Sequence, residues 1–469
     1  MSIGARRLSR ASGQNLTPIV SYSSVSVLSR RTPTNSDTAY ATDLLTVAPV
    51  SFWPRLDQYG GSLELPPATA TGRFYVTALG GRSWLVTPLG NRFLSIGLNS
   101  INIQDTTTSE ANAIAKYGDL ADGWAAGTNT ELKSYGFNTA GAWSDTTYLT
   151  KPANNKMAYT TVGYFMRDYG KSSTHTANYP GRVSGGSGHD DYTDDVIYVF
   201  EPEFATFAQQ RALQIAANYG SDPYYLGVIS DNELPFSALT LLDNNLAMNN
   251  PADPMYAAVR SWLSGRGKSP SNYNDTDRKD WVGYVYGEYT RIIREALDMA
   301  GSGMLYLGSR LHQKSSIESP ATFAAAKQYV DVFTLNYYNY WEPDPALLTA
   351  SLAGSPFMVT EFYTKALNAV DVYGNQFGNT SGAGWCVQTD ADRGKFYQNF
   401  TLGVLNHPNG VGWHWFRYTD NDTQEQVSDP SNVDSNKGLY KLDYAIYPAL
   451  SAAMKTVHQV AYRIAGGLA

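Results

Sequence analysis

The chain has 469 residues and a formal net charge of −7, and only 16% of it is Asp, Glu, Lys or Arg, against about 25% in an average soluble domain. Aromatic residues make up 13%, with 34 Tyr and 10 Trp, a composition too ring-rich and too sparsely charged for a disordered chain. The acidic balance offers no footprint for nucleic-acid phosphates, and no apolar run approaches the roughly 18 residues that mark a spanning helix.

In chain order, Met1 to Arg10 is basic but is not followed by the continuous apolar core of a signal peptide. Residues 1–70 are rich in Ser and Thr and end in Leu65-Pro66-Pro67. They read as part of an N-terminal extension, residues 1–90, whose short strands pack on a catalytic unit of residues 91–469. Two β-like runs at 73–77 and 84–88 flank Gly80-Gly81 and predict a hairpin. Eight further strands are predicted at 93–99, 139–143, 160–165, 225–230, 304–309, 332–337, 357–360 and 411–416. Helical periodicity falls between most of them, at 204–219, 280–300 and 395–406, and a last helix is predicted at 447–464. The helices around the second and third strands are not defined by the pattern. Residues 170–195, rich in Gly, Ser, Asp and His, read as a long loop that carries His175 and His189. Eight strands alternating with helices fit an α/β fold, a (β/α)8 TIM barrel with a short N-terminal β-rich extension. No glycine-rich phosphate loop follows the first strand, which leaves a dinucleotide-binding fold without support.

Cys386 is the only cysteine, which excludes an intramolecular disulfide framework and a cysteine-rich metal site. The six His are scattered without zinc spacing, and Asp420, Asn421, Asp422, Asp429 and Asp434 lack the ligand pattern of a calcium loop. Neither metal nor cofactor is expected.

Barrel enzymes carry their chemistry at the C-terminal ends of strands. The fourth predicted strand runs out through Ser230-Asp231-Asn232-Glu233, and the seventh through Val359-Thr360-Glu361-Phe362. An isolated Glu is ordinarily a solvated or ion-paired residue. Two of them, each ending an apolar strand and three strands apart around a ring, match what cleavage of a glycosidic bond needs: one carboxylic acid to protonate the leaving oxygen and one carboxylate facing it.

With Asn-Glu after strand four and Glu after strand seven, the chain resembles the clan A glycoside hydrolases. Locally it resembles glycoside hydrolase family 50, the β-agarases, in Leu56-Asp57-Gln58-Tyr59-Gly60-Gly61, Trp84-Leu85-Val86-Thr87-Pro88, Gly136-Phe137-Asn138-Thr139, Gly227 through Pro235, Leu307-Gly308-Ser309-Arg310, Thr360-Glu361-Phe362, Asp392-Arg393-Gly394, Gly412-Trp413-His414-Trp415-Phe416 and Asn436-Lys437-Gly438-Leu439. The resemblance runs in order from about residue 56 to 460 and implies a retaining mechanism, with Glu233 as general acid/base and Glu361 as nucleophile. The acid then needs surroundings that raise its pKa, and the nucleophile needs donors that keep it ionised. Tyr337 or Tyr338 is expected to donate to Glu361, and Asn232 to bind the sugar 2-hydroxyl. Asn99, Asn138, Trp143, Arg310, His312, His414 and Trp415 fall at other strand ends and are expected substrate contacts, since sugars pack C–H faces on rings and offer hydroxyls to Asn, His and Arg.

The implied substrate is a neutral, galactose-containing polysaccharide or oligosaccharide, and such a substrate class favours a secreted or periplasmic protein with no membrane partner. Two other readings stay open: a hydrolase or transglycosylase acting on another β-linked glycan, and a non-catalytic carbohydrate-binding barrel. The second has no need for both Glu233 and Glu361.

Overall fold

The computed structural model describes residues 20–47, 53–182, 192–301, 303–425 and 433–468. The N-terminal ribbon is longer than expected: β1 (Val20–Arg30) and β2 (Thr38–Val47) are 11 and 10 residues and pair antiparallel along their length. The predicted hairpin forms from β3 (Tyr75–Leu79) and β4 (Arg82–Val86), with Gly80 and Gly81 at φ +61° and +82°. A tight turn with two left-handed residues favours that pair of glycines. β5 (Arg92–Phe93) adds a third strand to this small sheet.

All eight strands predicted for the barrel are present. They are β6 (Ser95–Leu98), β7 (Thr139–Ala140), β8 (Ala158–Val162), β9 (Tyr225–Ile229), β10 (Leu305–Tyr306), β11 (Phe333–Asn336) and β12 (Phe357–Glu361). Two short strands, β13 (Thr364–Ala366) and β14 (Trp385–Val387), come before the eighth, β15 (Gly410–Trp415). The eight form one parallel sheet in the order β10-β9-β8-β7-β6-β15-β12-β11. Its two outer strands meet at a parallel bridge, Leu311 with Leu335, where the Leu311 amide donates to Thr334 O at 3.1 Å and the Asn336 amide to Leu311 O at 2.9 Å. The result is an α/β, TIM-barrel-like fold. β6, β9, β12 and β15 are unbroken buried runs because a parallel sheet covered by helices has no wet face.

The helices depart from a regular alternation. Two of them, Thr107–Tyr117 and Asp122–Ser134, lie between β6 and β7, whereas only a short 3-10 turn, Pro152–Asn154, separates β7 from β8. This is why the periodicity failed there. The helix predicted from residue 280 begins at Asp275, because Asn274 and Asp277 form a reciprocal capping box ahead of its first apolar residue. The predicted loop at 170–195 contains the helix Ser173–Asn178. His175 is fully buried there, 2.7 Å from Glu201 and 3.0 Å from the Arg182 carbonyl, so it packs the protein and is not a loop-surface group. His189 and Asp429 lie outside the described residues.

The ribbon is built into the barrel. The helix Asp390–Asn406 covers the edge of β2, with Asn399 Oδ1 accepting from the Asp43 amide at 2.8 Å and Gln398 Oε1 from the Leu45 amide at 2.9 Å; the edge is thereby closed to other strands. The far end of β1 pairs with β14 at Arg30 and Cys386. Just beyond it, Arg31 lies 4.4 Å from the Trp385 ring and donates to the Tyr338 carbonyl at 2.7 Å.

Candidate active site

Five consecutive barrel strands, β6 to β10, run out into a non-glycine residue in the left-handed region: Ser100, Trp143, Tyr164, Glu233 and Arg310, with φ between 52° and 59°. That conformation costs about 1–2 kcal/mol for a residue bearing a Cβ. Such strain, repeated around one rim, turns the chain sharply at the top of each strand and marks the mouth as the place where geometry is held against local preference.

Glu361 ends β12 and is almost fully buried. Its Oε1 is held by Arg310 Nη2, and its Oε2 accepts from the Tyr338 hydroxyl at 2.5 Å. Burial pushes its carboxyl up to about 7; the Arg310 guanidinium opposes this, Glu233 adds to it, and the two hydrogen bonds pull it down. The donors expected at Glu361 are present, and burial outweighs them. Tyr338 itself is pushed up by burial and by Glu361, so its hydroxyl keeps its proton and serves as a donor.

Arg310 has no exposed surface. It lies 4.3 Å from the centroid of the Trp143 ring, and its Nε and Nη1 have no hydrogen-bond partner among the described residues. The Trp143 indole donates to the Tyr164 hydroxyl at 2.6 Å. His312 is half-buried two residues beyond Arg310.

Glu233 is half-buried, and its Oε1 accepts from Asn336 Nδ2 at 2.7 Å. The same Asn336 nitrogen donates to Asn232 Oδ1 at 3.2 Å, which brings the two members of the Asn-Glu pair onto one partner. Asp231, just before them, is buried. It accepts from the Met166 and Arg167 amides and from the Tyr289 hydroxyl, fixing the loop after β8 against the end of β9. Burial raises its carboxyl to about 6.

The structure thus gathers Glu233, Glu361, Asn232, Arg310 and Trp143 at one mouth. Other expected contacts lie elsewhere. Tyr337 turns away from Glu361: successive side chains in an extended segment face opposite sides, and its ring stacks on Tyr340 at 5.2 Å while Tyr338 takes the expected position. Asn138 sits before β7, at the opposite end of the barrel. There its Oδ1 accepts from the Ile96 amide and the Thr139 hydroxyl, both at 2.9 Å, and its Nδ2 donates to Leu94 O. That residue lines a cavity of about 240 Å³ at the foot, together with Trp53, Phe137, Met157 and Tyr462.

Trp415 is fully buried outside the strand ring, its indole donating to Lys437 O at 3.0 Å and its ring against Phe362 and Tyr397, so it is no platform for a sugar. His414 is buried inside the ring, 2.8 Å from Ser95 Oγ, and a Cβ on Gly97 would fall 2.3 Å from it. Burial, with Arg310 nearby, holds it neutral by lowering its pKa to about 3. Asn99 is also buried, with Nδ2 donating to the Thr360 carbonyl at 2.6 Å.

Sequence reasoning missed Asn336, Thr360 and Tyr164. The first had a readable signal. If Tyr338 faces the mouth from the end of β11, Asn336, two positions earlier, faces it as well.

An eight-stranded parallel, barrel-like sheet with carboxyl groups at the ends of its fourth and seventh strands is the arrangement of the clan A glycoside hydrolases. Within that class the chain is GH50-like. It is 22% identical over 526 aligned positions to Beta-agarase B of Vibrio sp. (strain JT0107), covering 90% of this chain and 51% of that protein. It is 24% identical over 475 positions to Beta-agarase A of the same strain, covering 81% and 45%. The chain thus spans about half the length of the curated relatives it matches. The crystal structure of BpGH50 superposes with a TM-score of 0.81 at 26% identity, over 97% of this chain and 98% of that one. No protein-family profile matches the chain.

Proposed function

We propose that this protein is a retaining glycoside hydrolase that cleaves a β-linked, galactose-containing polysaccharide or oligosaccharide of the agar type. The observation that carries the reading is the convergence of Glu233 and Glu361 at one strained mouth, each on its own donor set. The likeness to two β-agarases supports the substrate class.

In this mechanism ionised Glu361 attacks the anomeric carbon while Glu233 gives its proton to the leaving oxygen, and the glycosidic bond breaks as the glycosyl–Glu361 bond forms. Glu233 then takes a proton from water, whose oxygen displaces Glu361 from the sugar with net retention. Near neutral pH Glu361 exists in both forms, and Arg310 and Tyr338 favour the charged one it must adopt. Trp143, braced by Tyr164 and Arg310, offers a ring face to the sugar. Asn232 is the candidate partner for the 2-hydroxyl. No helix among the described residues is long and apolar enough to cross a membrane, and action on an external polymer fits a secreted or periplasmic enzyme.

The test is incubation of the purified protein with agarose and with other β-linked glycans, with product sizing and NMR of the newly formed anomeric centre. Retained configuration on agarose fulfils the proposal. Cleavage of a different glycan alone moves the substrate; inversion removes the mechanism. Binding of agarose without cleavage would leave a carbohydrate-binding barrel.

A further inference from the structure

Thr360 touches no surface and was not among the expected site residues, yet it is the residue through which the two carboxyl groups are connected. It is fully buried and immediately precedes Glu361. Its carbonyl receives Asn99 Nδ2 at 2.6 Å from the first barrel strand and Arg310 Nη2 at 3.4 Å from the fifth. Its hydroxyl donates to Asn336 Oδ1 at 3.1 Å, with the Leu335 carbonyl a longer alternative at 3.4 Å. Asn336, itself fully buried, then donates from Nδ2 to Glu233 Oε1 and Asn232 Oδ1.

The orientation of the Asn336 amide decides which oxygen of Glu233 carries the acidic proton. With Nδ2 toward Oε1, that oxygen accepts, which favours the better-accepting carbonyl oxygen there and places the proton of the neutral acid on Oε2. Turned by half a revolution, the amide would present Oδ1 to Oε1 and hold the proton there in a hydrogen bond. The Thr360 hydroxyl opposes that turn: facing Nδ2 it could only accept, its own proton would be left to the longer 3.4 Å contact with the Leu335 carbonyl, and the turned Oδ1 would face Asn232 Oδ1. We propose that Thr360 is a positioning residue for Glu233: through the Asn336 amide it keeps the acidic proton on Oε2, ready for delivery to the leaving oxygen. The inference rests on the reading of Glu233 as the general acid.

The test uses Thr360→Val, which keeps the shape and removes the hydroxyl, and Thr360→Ser, which restores it; Thr360→Ala replaces the valine variant if that one does not fold. Each variant is assayed on two aryl β-glycosides of an agar-derived disaccharide, one with a nitrated phenol that leaves without protonation and one with an unsubstituted phenol that requires it. General acid catalysis contributes about 10²–10⁴-fold, so partial misdirection of the proton is expected to lower kcat on the unsubstituted phenol by about ten- to a hundredfold. The nitrated substrate should lose less than about threefold, and serine should restore the rate. Equal loss on both substrates, no loss on either, or failure of serine to restore the rate overturns the proposal. If the wild type cleaves neither glycoside, the inference is decided by carboxyl ¹³C NMR, while the function proposed above is decided on agarose. A Glu233 titration moved upward in Thr360→Val, as expected when Asn336 can accept its proton, sustains the link; an unmoved titration overturns it.

Discussion

The two ends of the barrel are built on opposite principles. At the foot the polar groups around Asn138, Ser95 and His458 are closed on one another. Asn138 makes hydrogen bonds with both strands beside it, Ser95 donates to Thr139 at 3.0 Å, and His458 lies 2.6 Å from the Tyr397 hydroxyl and 2.8 Å from the Tyr135 carbonyl. At the mouth five strands end in left-handed residues, and Arg310 keeps two nitrogens unpartnered among the described residues. The Glu361 carboxyl is held where burial raises its pKa to about 7. A foot can be optimised for stability alone. A mouth that must change charge and bind a substrate keeps strain and spare hydrogen-bonding capacity, which the rest of the fold supports.

The sharpest way to break this contrast is a pair of alanine variants. Glu361→Ala is expected to reduce sugar release from agarose by about 10⁴-fold or more, the scale on which loss of a nucleophile acts, while the protein stays folded. Asn138→Ala should do the reverse. It strands the Ile96 amide, the Thr139 hydroxyl and the Leu94 carbonyl in a buried place, which destabilises by about 2–4 kcal/mol. Denaturant titration should register that loss, and kcat/KM of the folded fraction should change less than about twofold. If Asn138→Ala instead raises KM while leaving stability intact, Asn138 binds substrate and the division between the two ends fails.

The pH response comes next in size. Attack requires ionised Glu361, and its carboxyl is raised from 4.5 to about 7. Activity should therefore climb as pH rises through about 7 and fall away below it. Arg310→Lys, which replaces a planar guanidinium with a point charge, should move that limb upward. The same shift acts on stability with the opposite sign. A group that binds its proton more tightly when folded contributes stability that is complete below its unfolded pKa and is lost as pH rises through the folded value. Melting temperature should accordingly decline between about pH 4.5 and 8 more steeply in the wild type than in Glu361→Gln. Parallel profiles would mean that Glu361 titrates as an ordinary exposed carboxyl.

The same contrast explains what could be read from the sequence. The eight strands and the pair Glu233 and Glu361 were legible because buried parallel strands are short apolar runs, and the carboxyl groups lie immediately at their ends. Which side chains reach the mouth was less so. Trp415, His414 and Asn99 share a strand end with true mouth residues, but one lies outside the ring of strands and two lie inside it below the opening. The outward turn of its position separates the first from the mouth, and depth along the strand separates the other two. Alternation would have chosen Tyr338 over Tyr337 once one member of β11 was anchored. Nothing local reveals that Asn138 lies at the start of β7 rather than its end, because that strand is two residues long. Arg310 was expected to touch sugar, and its contact with Glu361 joins the fifth strand to the seventh, a pairing set by the closure of the ring and not by spacing along the chain.

The smallest predicted effect probes the strain itself. Ser100 follows β6 with φ of 53°, is buried, and uses its backbone on both sides: its amide donates to Ala142 O at 2.8 Å and its carbonyl accepts from the Asn102 amide at 2.9 Å. Ser100→Gly keeps both hydrogen bonds and removes the Cβ that disfavours this conformation. Relief of about 1 kcal/mol is partly offset by the larger conformational freedom of glycine in the unfolded chain, about 0.4–1 kcal/mol. A net gain of about 0.5 kcal/mol should then appear in denaturant titration, with kcat unchanged, because Ser100 touches neither carboxyl group. A loss of stability of about 1 kcal/mol instead would show that the Ser100 side chain earns its place by packing. The left-handed rim would then have to be counted as a tolerated feature of this strand and not as stored strain.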